Sequence, residues 1–192
     1  MVTPAAQSAG RLFLAIPLTE NARSALRLQL QTHLQHEALP GRVVPSDKWH
    51  LTVRFLGDSS HDGLARLQES LSAEPLGYAT DITFDGMGAF PRAVRASVLW
   101  IGVTEGADAL QSIAARVEAA VRRAGFAPEP RAFAPHLTLS RLQPPRDVRA
   151  LVEGVPVLDI RMTVDAVVLV RSHVGRGPSR YEDVGRFELV AG

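Results

Sequence analysis

Two short motifs place a histidine two residues before a threonine: His50-Leu-Thr52 and His136-Leu-Thr138. Each lies in a segment where polar and apolar residues alternate, which is typical of a β-strand with one buried face. Residues two apart on a strand share a face, so each histidine points the same way as its threonine. Imidazole can give or take a proton near neutral pH, and a hydroxyl can donate a hydrogen bond to an anionic oxygen.

The two motifs together predict a displacement reaction at phosphorus. If the strands met at one cleft, one histidine would deprotonate an attacking water and the other would protonate the leaving oxygen. The threonine hydroxyls would hold the oxygens between them. A single His-x-Thr is most simply part of a half-buried strand, but two copies at matching places in a repeated unit are more specific.

The residue types available limit the other chemistry. The chain has no cysteine, which excludes disulfides, thiolate nucleophiles and cysteine zinc sites. The two histidines are 86 residues apart (136 − 50), and neither motif contains a carboxylate, so they make a poor zinc set. A strained cyclic phosphate does not require a metal, and we expect neither a metal nor a cofactor.

The elements that precede the motifs occur twice. A strand and a helix predicted over 11–35 lead to His50, and a strand and a helix predicted over 97–123 lead to His136. The helix starts are 85 residues apart (104 − 19), nearly the offset of the histidines. We therefore predict an α+β fold built from a duplicated unit, with two mainly antiparallel sheets, helices packed outside and a central cleft between two lobes. Further strands are predicted over 78–84, 159–164, 166–172 and 186–190, and short helices over 62–71 and 147–152.

Length and composition bound the domain organisation. The chain has 192 residues, 46% of them hydrophobic, enough for one core. We predict a flexible tail over 1–10, without the features of a signal peptide, and a single bilobal domain over 11–192. No apolar run approaches the roughly 20 residues that cross a bilayer. We expect a cytoplasmic monomer that does not bind a membrane.

The distribution of charged residues predicts that nucleic acid would bind at local basic patches and would not be attracted by the net charge of the protein. The net charge is only +1, and 20 of the 21 basic residues are arginine. Codon usage in a GC-rich genome is the simplest explanation of that bias. The arginines nevertheless cluster over 122–149 and 171–186, and local basic patches can bind phosphates.

Several stretches, spread over nearly the whole chain, carry a family resemblance. They are Arg11–Ile16, Trp49–Gly57, Ala89–Arg92, Val98–Gly102, Pro135–Arg141, Ser172, Tyr181 and Phe187–Leu189. Together they resemble the 2H phosphoesterase superfamily and, within it, the bacterial RNA 2′,3′-cyclic phosphodiesterases, also called 2′-5′ RNA ligases.

The resemblance implies a bilobal fold with the site between the lobes, and RNA with a 2′,3′-cyclic phosphate end or a 2′-5′ linkage as the partner. The cyclic end would be hydrolysed to a 2′-phosphate, and some members join or cleave 2′-5′ linkages in vitro. By motif, His50 would be the proton donor and His136 the acceptor. Thr52 and Thr138 would hold the non-bridging oxygens, and Arg141 would assist the phosphate.

The pattern leaves two directions open for each of two arginines. Under strict alternation, Arg141 shares a face with Leu139, so it reaches the cleft only if the strand bends or ends after Ser140. Arg54 has the parity of His50 and could lie at the edge of the cleft. It could equally be a solvent-facing strand residue.

Two aromatic residues and two other functions also stay open. Phe90 could stack on a terminal base or anchor its loop on the core, and Tyr181 could line the site or support the last strands. A non-catalytic module that binds RNA ends would not require two titrating groups. A phosphodiesterase for small cyclic nucleotides or ADP-ribose cyclic phosphate would use the same residues.

Overall fold

The computed structural model describes residues 8–34, 38–155, 157–173 and 180–192. The strands are β1 Ser8–Pro17, β2 Arg42–Val43, β3 His50–Ser60, β4 Thr80–Phe90, β5 Ala96–Val103, β6 His136–Arg146, β7 Ile160–Val164, β8 Ala166–His173 and β9 Arg180–Glu188. The helices are α1 Glu20–His33, α2 His61–Ser72, α3 Ala107–Arg123 and α4 Arg149–Gly154, with 3₁₀ turns at Ser46–Lys48 and Ala93–Arg95.

The helix that follows each first strand starts differently in the two halves. The Thr19 side chain accepts a hydrogen bond from the Ala22 amide at 3.3 Å and caps α1, as its residue type predicts. The predicted start of α3 at Thr104 is three residues too early, because Gly106 takes a left-handed conformation with φ 76° before the helix begins. The predicted end of α1 at Gln35 lies outside the described residues.

All the described strands belong to one sheet, whose order is β7-β4-β5-β6-β3-β1-β8-β9, with β2 paired to β6. Every ladder in it is antiparallel. The order is symmetric about the central pair β6–β3, in keeping with the predicted duplication. The mainly antiparallel α+β fold is confirmed. The two predicted sheets, however, are halves of one curled sheet, because Leu51 of β3 pairs with Leu137 of β6.

The core lies between one face of the sheet and the helices. In β1, Leu12, Leu14 and Ile16 face this core and are at most 1% exposed. Phe13 and Ala15 point to the other face, where they pack with β8 in a separate apolar cluster. The helices therefore cover one face of the sheet, and the opposite face is left to form the cleft.

The first strand begins earlier than predicted. Residues 1–7 of the predicted tail lie outside the described residues. Ser8 and Gly10, which the prediction also placed in that tail, pair with Ser60 and Ser59 at the end of β3. No helix in the described parts of the chain combines the length and apolar character that crossing a membrane requires.

Candidate active site

The two motifs meet at the centre of the sheet. Leu51 and Leu137 are fully buried in the core and directly opposite each other on β3 and β6. Their sequence neighbours must then project from the other face, so His50 and His136 both face the cleft, each with its threonine. In an antiparallel ladder these histidines are diagonal neighbours, a relation that spans about 7–8 Å between backbones.

The backbone fixes the tautomer of both histidines in the same way. Nδ1 of His50 lies 2.8 Å from the carbonyl oxygen of Lys48, and Nδ1 of His136 lies 2.7 Å from that of Ala134. A carbonyl only accepts, so Nδ1 carries a proton and Nε2 is left for the cleft. Nε2 of His50 lies 3.0 Å from the Thr52 hydroxyl oxygen.

Burial and positive charge favour the neutral form of both rings. Desolvation is the main cause that lowers the pKa of His50, and the charges of Arg141 and His136 lower it further. Desolvation and then Arg141 likewise lower the pKa of His136. The hydrogen bonds to the Lys48 and Ala134 carbonyls act in the opposite direction and raise each pKa. Arg141 is therefore close enough to act on both histidines.

A β-bulge turns Arg141 into the cleft. Thr138 pairs with Trp100 and Ser140 pairs with Leu99, so Leu139 is an extra residue in β6. Leu139 and Ser140 are both fully buried although they are consecutive, and Arg141 is exposed. The bend that the sequence argument required is present, one residue earlier than expected.

The equivalent bulge in β3 turns Arg54 away from the cleft. Thr52 pairs with Ala15 and Arg54 with Leu14, a core residue. The Arg54 guanidinium forms ion pairs with Glu118 of α3 at 2.8 Å and with Glu129 at 3.2 Å, and its side chain is 10% exposed. The predicted place of Arg54 at the edge of the cleft is wrong, because alternation does not continue through the bulge.

Aromatic rings surround His50. Its ring centroid lies 5.0 Å from that of Phe13 and 5.7 Å, edge-on, from that of Tyr181. Phe55, the residue after Arg54, lies 6.0 Å from Phe13 and is 54% exposed. Tyr181 therefore lies beside His50, a position that fits either of its two predicted roles. Phe13 and Phe55 were not predicted, because β1 is apolar on both faces and the bulge changes the parity of β3.

A second aromatic pair surrounds His136. Phe90 lies 4.9 Å from it with the rings nearly perpendicular, and Trp100 lies 6.2 Å away. The Trp100 ring packs over Gly88, where a Cβ would come within 2.2 Å of it. Phe90 also contacts Trp100 at 5.1 Å, so both of its open roles, site residue and packed anchor, fit its position.

The titratable residues of the described segments do not cluster as metal ligands do. Among these residues, no group of three or more His, Asp or Glu side chains could hold a metal ion. The polar groups that converge around the two motifs include two imidazoles, two hydroxyls and the Arg141 guanidinium. Such a set can transfer protons and hold an anion.

Known proteins share both the sequence pattern and the fold. The model of the 2′-5′ RNA ligase superfamily matches residues 26–176. An RNA 2′,3′-cyclic phosphodiesterase of Aeropyrum pernix is 36% identical over 125 residues, 65% of this chain and 70% of that protein. One of Escherichia coli is 30% identical over 180 residues, 94% of this chain and 97% of that protein.

A solved structure agrees over nearly the full length. The crystal structure of E. coli LigT complexed with 3′-AMP has a TM-score of 0.77 and 26% identity to this chain, covering 94% of this chain and 98% of that one. The family resemblance carried by the two His-x-Thr motifs is thereby confirmed. This chain belongs to the 2′-5′ RNA ligase superfamily of 2H phosphoesterases.

Proposed function

We propose that the protein hydrolyses the 2′,3′-cyclic phosphate at RNA ends and leaves a 2′-phosphate. The observation that carries this proposal is the convergence of His50, His136 and Arg141 on one face of the sheet. Relatives that match up to 94% of the chain are named RNA 2′,3′-cyclic phosphodiesterase, which supports the same reaction here.

The proposed reaction is an in-line displacement with balanced proton transfer. Nε2 of His136 takes a proton from a water molecule as its oxygen attacks phosphorus. The bond between phosphorus and O3′ breaks, and Nε2 of His50 gives its proton to O3′. The products are a 2′-phosphomonoester and a free 3′-hydroxyl. Proton exchange with solvent then restores both imidazoles.

The hydrogen bonds support this division of roles, which the family resemblance also implies. When His50 is protonated, its Nε2–H can donate to the Thr52 oxygen 3.0 Å away, and this bond holds the proton at the cleft. Within the described segments, no hydrogen bond engages Nε2 of His136, so its lone pair can accept a proton from water. The hydroxyls of Thr52 and Thr138 donate to the non-bridging oxygens.

Arg141 supplies charge where negative charge develops. Its guanidinium can donate two parallel hydrogen bonds to phosphate oxygens, and it stabilises the pentacoordinate transition state. Its charge lowers the pKa of both histidines in the free protein. A bound anionic phosphate offsets that charge and raises the pKa of His50, so the substrate itself favours the protonated donor.

The same site can also form a 2′-5′ linkage, the reaction that the superfamily name indicates. If a 5′-hydroxyl replaces water as the nucleophile, His136 takes its proton and O3′ leaves as before. The product is then a 2′-5′ phosphodiester, with no change in the proton inventory. We propose ligation as this alternative outcome of one mechanism.

The test is to identify the product formed from a short RNA with a 2′,3′-cyclic phosphate end, in buffer containing EDTA. Acid, base and charge are all supplied by side chains, so we expect turnover without added metal and a 2′-phosphate as the only product. A strict requirement for added metal, or a 3′-phosphate product, would contradict the proposed mechanism.

A further inference from the structure

A second arginine faces the cleft beside Arg141. Arg42 of β2 is directly opposite Arg141 in the ladder with β6, and residues directly opposite project from the same face. Both are exposed, and within the described segments no ion pair engages either guanidinium. Two cations placed opposite each other repel, and an anion bound between them would relieve that repulsion.

The short strand that carries Arg42 is held firmly against β6. Gly41 adopts φ +80°, and a Cβ there would come within 2.5 Å of the Arg141 carbonyl oxygen, so only glycine allows this approach. On the other side, the Val44 amide donates to the Leu139 carbonyl at 2.8 Å. These two backbone contacts, one on each side of Arg42, hold it next to Arg141.

We propose that Arg42 binds the phosphodiester on the 5′ side of the terminal ribose, which makes the preferred substrate an oligonucleotide. This inference rests on the proposed function, in which Arg141 binds the cyclic phosphate. Arg42 projects from the neighbouring strand, about 4.8 Å away. One nucleotide separates the two phosphates of such an RNA end, and two adjacent arginines can engage both. Guanidinium forks suit phosphate oxygens, and a nucleoside cyclic phosphate alone would leave Arg42 unused.

The experiment compares two substrates that differ in the second phosphate. Wild type, Arg42→Gln and the matched control Arg116→Gln, an exposed arginine of α3 on the helix side, are assayed with a nucleoside 2′,3′-cyclic phosphate and with a dinucleotide that ends in one. For Arg42→Gln we expect KM to rise about tenfold on the dinucleotide, the loss of one charged hydrogen bond. We expect kcat on the dinucleotide and both constants on the mononucleotide to stay at wild-type values.

A neutral methylphosphonate in place of the internucleotide phosphate completes the test. Wild type should then show the KM of the Arg42→Gln variant, and the variant should lose nothing further. An equal loss by Arg42→Gln on both substrates, or no loss on the dinucleotide, would overturn the proposal. Wild-type turnover of the mononucleotide reports separately on the proposed function, and turnover of it by the variant reports that the variant is folded.

Discussion

In the half of the cleft formed by β1 and β3, the residues after the bulge are Arg54 and Phe55; in the half formed by β5 and β6 they are Ser140 and Arg141. The backbone changes direction at the same place in both halves, one residue after the threonine. In the first half it turns an arginine into the helices and a phenylalanine into the cleft. In the second half it buries a serine and exposes an arginine to the cleft.

This difference makes the two halves of the cleft chemically distinct, although their motifs are the same. The second half contributes the positive charge, and the first half contributes the exposed ring of Phe55 beside the apolar cluster of Phe13. We infer that the phosphate lies toward Arg141 and the terminal base toward Phe55. The two bulges thus place a charged side chain in one half of the cleft and an exposed aromatic ring in the other.

Substitution of the histidines, which both halves share, should have the largest effect on activity. His50→Ala and His136→Ala should each lower kcat by about 10²–10⁴-fold, because each removes one proton transfer from the reaction. Steady-state assays on RNA with a cyclic end measure this. His33→Ala, in the last turn of α1, is the matched control and should keep the wild-type rate. If either catalytic variant kept that rate, its histidine would have no part in the mechanism.

Substitutions of Arg141 and Arg54 should affect different properties, the first activity and the second stability. Arg141→Gln should lower kcat/KM by about 100-fold or more, the effect of losing a charged donor to a transition state. The optimum of kcat/KM should also move to higher pH, because the Arg141 charge lowers the pKa of both histidines in the free enzyme. Rate measurements across pH test both effects.

Arg54→Ala is the control for Arg141. It leaves Glu118 and Glu129 without their shared cation and should lower the free energy of unfolding by about 1–3 kcal/mol. Below its melting temperature the variant should keep the wild-type kcat/KM. If Arg54→Ala lost activity as Arg141→Gln does, with unchanged stability, the assigned directions of the two side chains would be wrong.

Substitution of Phe55 should have the smallest of these effects. Stacking on one base contributes about 1–3 kcal/mol, and Phe55 lies at an open edge, so Phe55→Ala should raise KM about fivefold to tenfold with kcat nearly unchanged. Tyr78→Ala removes an aromatic ring that is 65% exposed and is not packed around either histidine, and it serves as the control. A fall in kcat with constant KM would instead place Phe55 among the residues that support His50.

Alternation along the sequence predicts a residue's direction only as far as the alternation holds. It placed His50, Thr52, His136 and Thr138 correctly, because these residues precede the bulges. It failed for Arg54, because a bulge depends on the register with the neighbouring strand, which one strand's pattern does not contain.

Two other features could not be predicted from the pattern along one segment. The pairing of Leu51 with Leu137, which joins the two predicted sheets into one, leaves no local trace in the sequence. Phe13 escaped prediction because β1 is apolar on both faces and alternation cannot distinguish them. By contrast, the Thr19 cap was predictable, because it depends only on residues within one helical turn.

The pH dependence of kcat/KM on RNA with a cyclic end tests the central claim, that one imidazole gives and the other takes a proton at the same phosphorus. We predict a bell whose acidic side reports deprotonation of the base and whose alkaline side reports loss of the acid's proton. Because burial lowers the pKa of both histidines in the free enzyme, the maximum should lie below the ordinary imidazole value of about 6.5. A rate that only rises or only falls between about pH 4 and about pH 9 would contradict the paired roles.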